Sequence, residues 1–236
     1  TAGQLPTGFD PASLYASRNH PRGLQMAICG ASDALKSMGI EWQVVMDSIR
    51  PDQMGVYASS AMAQLDDNGF GGLLGARANG GRVSSKQLAL GLADMPADFV
   101  SAYVLGNVGT SGPSLGACAT FFYNLRQAVN DIRNGLTKVA VVGVAESGID
   151  PRIIDGYYTM GALASDAELL KLDAEKGLTE PDHRRASRPF SSNCGFTISE
   201  STQFIVLFDD ELALQLGAQI HGSVPDVFIN ADGYKK

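Results

Sequence analysis

The run Val139-Ala140-Val141-Val142 constrains this chain more than any other feature, because four consecutive apolar residues suit a strand buried on both faces and not an exposed one. A helical pattern precedes it, with Phe122, Leu125, Val129 and Ile132 predicted on one apolar face and Gly135 as its stop. Before that helix, GTSGPSLGACAT reads as a short strand ending just before a sharp turn at Cys118. Strand, turn, helix and buried strand in this order predict a layered α/β arrangement, with the helix over 119–134 buried between sheet layers.

The rest of the chain supports one globular α/β domain. Leu24, Ala27, Ile28, Ala31, Ala34, Leu35 and Met38 recur at helical spacing after His20-Pro21 and stop at Gly39. A second helix is expected over 42–49, and Gly55-Val56-Tyr57-Ala58 reads as a short buried strand. The glycine-rich stretch 69–81 reads as a surface loop; its Gly69-Phe70-Gly71-Gly72 lacks the lysine and hydroxyl of a phosphate-binding loop. Helix resumes near Ser84, breaks at Pro96 and continues to about Leu105. Residues 165–188 are polar and charged, which predicts a surface excursion, followed by strands over 195–208 and 220–228 separated by a short helix over 210–216. No residue-level repeat is visible.

Composition excludes several function classes. The net charge of −7 and the absence of a basic cluster among 18 Lys and Arg argue against a nucleic-acid partner. Apolar stretches reach only about eight residues, far below the roughly 20 that span a bilayer, so a soluble, non-membrane protein is expected. Cys29, Cys118 and Cys194 are odd in number and widely spaced, which fits neither a disulfide framework nor a closed metal site and points to a reducing, cytoplasmic setting.

Cys118 carries the chemistry. A cysteine entering a helix directly after a strand is exposed at a turn, and a helix amino terminus favours the thiolate that acts as nucleophile. Gly116 and Ala117 leave room for a substrate to approach. Taken alone, the residue is as consistent with a buried small hydrophobe.

The string GPSLGACATFF resembles the nucleophile region of the β-ketoacyl-acyl carrier protein synthases. The following helix, Gly135, the apolar strand, Glu146, Arg188-Pro189-Phe190, Gly195-Phe196 and LGAQIHGSV continue that family's order. So do Gly69-Phe70-Gly71-Gly72 and the helices before Asn107. The resemblance covers nearly the whole chain and implies the amino-terminal αβαβα half of a thiolase-like fold plus a connecting excursion over 165–188, truncated at both ends. It implies a homodimer, an acyl carrier protein as partner, and no cofactor or metal. Cys118 would accept an acyl group as thioester, a malonyl thioester would lose carbon dioxide, and its carbanion would extend the acyl chain by two carbons. The backbone N–H of Cys118 would supply one oxyanion-hole donor. Tyr157, with Tyr158 as the fallback, would line the acyl pocket; an ordinary core position is the competing role.

Departures limit what the resemblance carries over. The family's two decarboxylating histidines and its lysine fall after the point where this sequence ends, so the chain alone is expected to be inactive in condensation. His20, His183 and His221 are assigned capping, solvated or packing roles. Cys194 stands where the family has aspartate, and Ser199 and Ser201 stand where it has glycines; Glu200 matches the acidic position between them and is assigned structural hydrogen bonding. The competing functions are a non-catalytic synthase-like partner, which Cys118 disfavours, and a thiolase-like enzyme acting on coenzyme A thioesters.

Overall fold

The computed structural model describes residues 3–14, 20–231 and 233. In chain order, α1 (Arg22–Ser37) and α2 (Trp42–Ser48) precede β1 (Met54–Ser59). Three short helices follow, α3 (Phe70–Gly75), α4 (Ser85–Leu90) and α5 (Met95–Phe99), the last running into a π-helical turn over Val100–Leu105. Then come β2 (Thr110–Ser111), α6 (Thr120–Arg133), β3 (Val139–Ser147), α7 (Pro151–Thr159), α8 (Asp166–Leu172), β4 (Glu200–Phe208) and α9 (Asp210–Leu216). Among the described residues the strands form one four-stranded sheet in the order β2-β1-β3-β4, with β1 parallel to both β2 and β3.

Burial follows from strand periodicity. Successive side chains of a strand point to opposite faces, and here both faces are covered. Met54, Val56, Ala58, Val139 and Val141 pack with Ala31 of α1, Val45 of α2, Ala97 of α5 and Leu212 of α9 on one face. Tyr57, Ala140 and Val142 pack with Leu125, Ala128 and Val129 of α6 on the other. Every residue of β1 is buried, as is the run 139–143 of β3, so the apolar run Val139–Val142 does lie in a doubly covered strand. Helices α1 and α6 end where glycine was expected to stop them, with Gly39 and Gly135 left-handed at φ +71° and +70°.

The chain divides into two compact units. The larger comprises residues 5–146 and those from 201 onward and holds nearly all of the sheet; the smaller comprises 147–200 with Gly3 and Gln4 and includes the stretch expected as a surface excursion. That stretch is organised around one carboxylate. Asp173, 5% exposed, takes a paired contact from Arg185 at 3.0 and 3.1 Å and a bond from Arg188 at 2.7 Å. The hydrogen bonds from Arg185, then those from Arg188, lower its carboxyl to about 2. Leu169 and Ala186 are buried in the same unit.

The structure departs from the sequence reading at several places. The glycines of 69–81 do not make a loop throughout, since Phe70–Gly75 is helical; a Cβ on Gly72 would fall 1.9 Å from the Asp67 carbonyl, so glycine there serves close packing and not flexibility. Pro96 opens α5 in its first turn, where its missing N–H costs nothing, and the break falls just before it. The strand expected from 195 begins at Glu200, with Phe196 in an isolated bridge to Leu163. No strand forms over 220–228: Pro225 removes a ladder donor, and Ile220 and Phe228 are exposed. Among the described residues helix α6 has the sheet on one side and no second sheet on the other, and Phe122 points away from the apolar face at 55% exposure.

His20 is 5% exposed and meets the Phe99 ring edge-on at 5.0 Å. Burial first, and then the charge of Lys86, lower its imidazole from 6.5 to about 4. The folded protein therefore keeps His20 neutral where the unfolded chain takes up a proton, and stability falls as pH drops from 6.5 toward 4. Denaturant unfolding measured between these limits should show this residue contributing a slope of up to about 1.4 kcal/mol per pH unit. His20→Leu should flatten the curve; an unchanged slope would refute the assignment.

Candidate active site

Cys118 sits in a 3-10 turn, Ala117–Ala119, that leads straight into α6. It is exposed, and Cys29 and Cys194 are half-buried free thiols. Burial, followed by the charge of Asp33, pushes the Cys29 thiol up, which fits the packing role expected for it. The strand before Cys118 ends earlier than expected: β2 stops at Ser111, and an irregular segment containing Pro113 carries the chain to the turn. Gly112 N–H still reaches the Val56 carbonyl at 3.1 Å, extending the pairing by one bond.

What positions Cys118 is a set of polar side chains buried beneath this segment. Asn124, on the inner face of α6 and fully buried, accepts the Ser114 N–H at 2.7 Å. Its amide donates to the Ser59 hydroxyl at 2.9 Å and toward the Gly143 carbonyl at 3.5 Å. Ser59 in turn donates to the Ser114 carbonyl at 2.8 Å. One amide thus joins the segment before Cys118 to β1, β3 and α6. Nearer the thiol, Thr120 donates to the Ala117 carbonyl at 2.6 Å and accepts the Gly116 N–H at 3.1 Å. Ala117 is left-handed at φ +48°, a conformation that costs a non-glycine residue about 1–3 kcal/mol unless its surroundings hold it. At Gly116 a Cβ would lie 2.3 Å from the Tyr123 ring, so glycine lets the chain pass against that aromatic.

Glu146, near the end of β3, fastens the loop that leaves β1. Its carboxylate accepts from the Ala61 N–H at 2.5 Å, the Ser60 hydroxyl at 3.1 Å and the Met62 N–H at 3.4 Å. Burial raises its carboxyl above the usual range against the lowering effect of those bonds.

Tyr157 and Tyr158 belong to the smaller unit. Tyr157 is half-buried in α7 with its ring 5.1 Å from Phe196 in an edge-to-face contact, whereas Tyr158 is 69% exposed. Glu200 accepts the Gly3 N–H at 2.8 Å, in keeping with a structural role. His183 pairs with Asp166 at 3.0 Å on the surface. His221, expected in a strand, lies in an irregular segment and donates to the Ser37 carbonyl at 2.9 Å. Among the described residues, no group of three or more His, Cys, Asp or Glu is placed to hold a metal ion, and no helix is long and apolar enough to cross a membrane.

The sequence reading singles out Cys118 as the candidate thiol and does not include Asn124 or Thr120. Asn124 left one trace, an amide falling on the helical stripe that carries Leu125, Ala128 and Val129, where an unpaired polar group would be costly. Replacing Asn124 with Leu should strand the Ser114 N–H and lower stability by about 1–3 kcal/mol. Urea unfolding measures this, and a loss below about 0.5 kcal/mol would show that the amide is not a fastening point.

Comparison with known proteins places this arrangement. The family model described as "Beta-ketoacyl synthase, N-terminal domain" matches residues 6–213. The beta-ketoacyl-[acyl-carrier-protein] synthase FabY of Pseudomonas aeruginosa is 56% identical over all 236 residues, which cover 37% of that protein. The crystal structure of P. aeruginosa FabY superposes with a TM-score of 0.90 over the whole chain and 36% of the FabY chain. A type II polyketide ketosynthase solved with its acyl carrier protein shares the fold, with a TM-score of 0.67 at 22% identity over 87% of this chain and 48% of that one. The chain spans little more than a third of the length of FabY.

Proposed function

We propose that this chain, which belongs to the β-ketoacyl synthase family, supplies the acyl-accepting half of a β-ketoacyl-acyl carrier protein synthase, with Cys118 as the nucleophile. One observation carries the reading: Cys118 stands exposed on a turn strained at Ala117, at the entrance to α6, with small residues before it and a buried polar scaffold beneath. That is the geometry of a group meant to be reached and held still.

The chemistry follows from the thiol. The Cys118 thiolate attacks the carbonyl carbon of an acyl thioester on carrier protein, forming a new carbon–sulfur bond, and the carrier's thiolate departs and takes up a proton. The resulting thioester remains reactive toward carbon nucleophiles, more so than the ester a serine would form. Decarboxylation of a malonyl thioester breaks a carbon–carbon bond, releases carbon dioxide and leaves the electron pair on the α-carbon. That carbon attacks the Cys118-bound acyl group, yielding a β-ketoacyl chain two carbons longer and freeing the thiolate. During acyl transfer the Cys118 N–H is suited to donate to the developing oxyanion.

Tyr157 is assigned to the acyl pocket ahead of Tyr158, and its half-burial against Phe196 suits an apolar surface better than Tyr158's exposure does. The proposed working state is a cytoplasmic homodimer that receives acyl and malonyl groups from acyl carrier protein. The free thiols of Cys29, Cys118 and Cys194 are consistent with a reducing compartment, and the family's reaction requires neither cofactor nor metal.

Full-length protein incubated with an acyl-carrier thioester should gain one acyl group on Cys118, read by intact mass and peptide mapping, and Cys118→Ala should abolish the gain. Cys118→Gln should lose condensation and keep its fold. Acylation that survives Cys118→Ala, or that maps to Cys29 or Cys194, would overturn the proposal.

A further inference from the structure

The hydroxyl of Thr120 governs a backbone group that the proposed acyl transfer uses. Thr120 is 2% exposed. Its Oγ1 donates to the Ala117 carbonyl at 2.6 Å and accepts the Gly116 N–H at 3.1 Å, and its own N–H also reaches the Ala117 carbonyl. The carbonyl of Ala117 and the N–H of Cys118 belong to one planar peptide group, and in a trans peptide they point to opposite sides. Whatever anchors the carbonyl therefore aims the N–H.

The anchoring matters because this peptide group follows a left-handed residue. With φ at +48°, Ala117 would gain stability by relaxing to an ordinary backbone conformation, and that relaxation would swing the peptide plane. Thr120 grips the groups on both sides of Ala117, the Gly116 N–H and the Ala117 carbonyl, and so opposes the rotation. We propose that Thr120 is a positioning residue that aims the Cys118 N–H at the oxyanion formed when the thiolate attacks a thioester. This rests on the reading of Cys118 as the acyl acceptor.

The two roles open to the hydroxyl, helix capping and aiming of the N–H, separate by reagent. Acyl transfer to Cys118 builds negative charge on a carbonyl oxygen, whereas alkylation by iodoacetamide displaces iodide at a saturated carbon and builds none. In the full-length protein, Thr120→Val should slow acylation of Cys118 by an acyl-carrier thioester by roughly 10- to 100-fold. Alkylation of the same thiol should stay within about twofold, and Thr120→Ser should restore most of the acylation rate. An acylation rate near wild type in Thr120→Val would overturn the proposal. So would equal losses of acylation and alkylation, which would mark Thr120 as structural only. A wild-type protein alkylated at Cys118 but never acylated there would overturn the functional reading itself.

Discussion

The pairing of β1 with β3 is the constraint on which the rest of the structure depends. Their parallel register, with Val56 opposite Val141 and Tyr57 opposite Val142, makes the two alternating side-chain sets coincide across strands. One set belongs to the face under α1, α2, α5 and α9, the other to the face under α6. A slip of one residue would exchange the sets, and Tyr57 would enter the face that now holds Val56. Each valine buried this way contributes about 1.5–3 kcal/mol relative to exposure, so the register is strongly favoured.

That register decides where α6 lies and hence where Cys118 lies. Two residues of β1 on the same face, Tyr57 and Ser59, reach two residues of α6 seven positions apart. Tyr57 donates to Asp131 at 2.6 Å, and Ser59 accepts from Asn124 at 2.9 Å. Seven residues are two helical turns, so both partners fall on the side of α6 that faces the sheet. The later residue of the strand meets the earlier residue of the helix, so the helix runs back against β1, as a crossover between parallel strands requires. Apolar packing between Leu125, Ala128, Val129 and the sheet tolerates some sliding along the helix axis. The two hydrogen bonds do not, because a displacement of one turn, about 5.4 Å, would strand a buried phenol and a buried amide together.

The sequence was most informative where apolar residues repeat. The period in 24–38 and the run at 139–142 place α1 and β3 correctly because burial, the dominant contribution, acts on the side chains that form the pattern. It misled where glycine was read as freedom. At Gly72 the missing Cβ makes room for a neighbouring carbonyl, and nothing local in the string separates that use from a loop. Phe122 was placed on the inner face by its spacing from Leu125 and Val129, but the inner face turned out to centre on Asn124 and Ala128, which shifts Phe122 outward. The scaffold under Cys118 was almost invisible for a related reason: its bonds join residues up to 65 positions apart, and a serine ending a strand carries no mark of the amide it will meet.

Those long-range bonds gather at the carboxyl ends of the parallel strands, and the location has a physical cause. Within the sheet, β1 and β3 satisfy one another's backbone groups, but past Ser59 the ladder stops while the chain is still buried, with Ser60 only 1% exposed. Side chains must then take over what the neighbouring strand did. Glu146 accepts the N–H groups that follow β1, and Asn124 takes the Gly143 carbonyl together with the Ser114 backbone. Side-chain partners, unlike a ladder, can be aimed individually, so the chain beyond them can hold conformations that a strand or helix forbids. The left-handed Ala117 is such a conformation, and it falls immediately before the thiol. The exposed thiol at Cys118 and the buried polar groups beneath it thus have one origin: the sheet ends here inside the protein, and the residues that complete its hydrogen bonding are free to set the direction of the turn that follows.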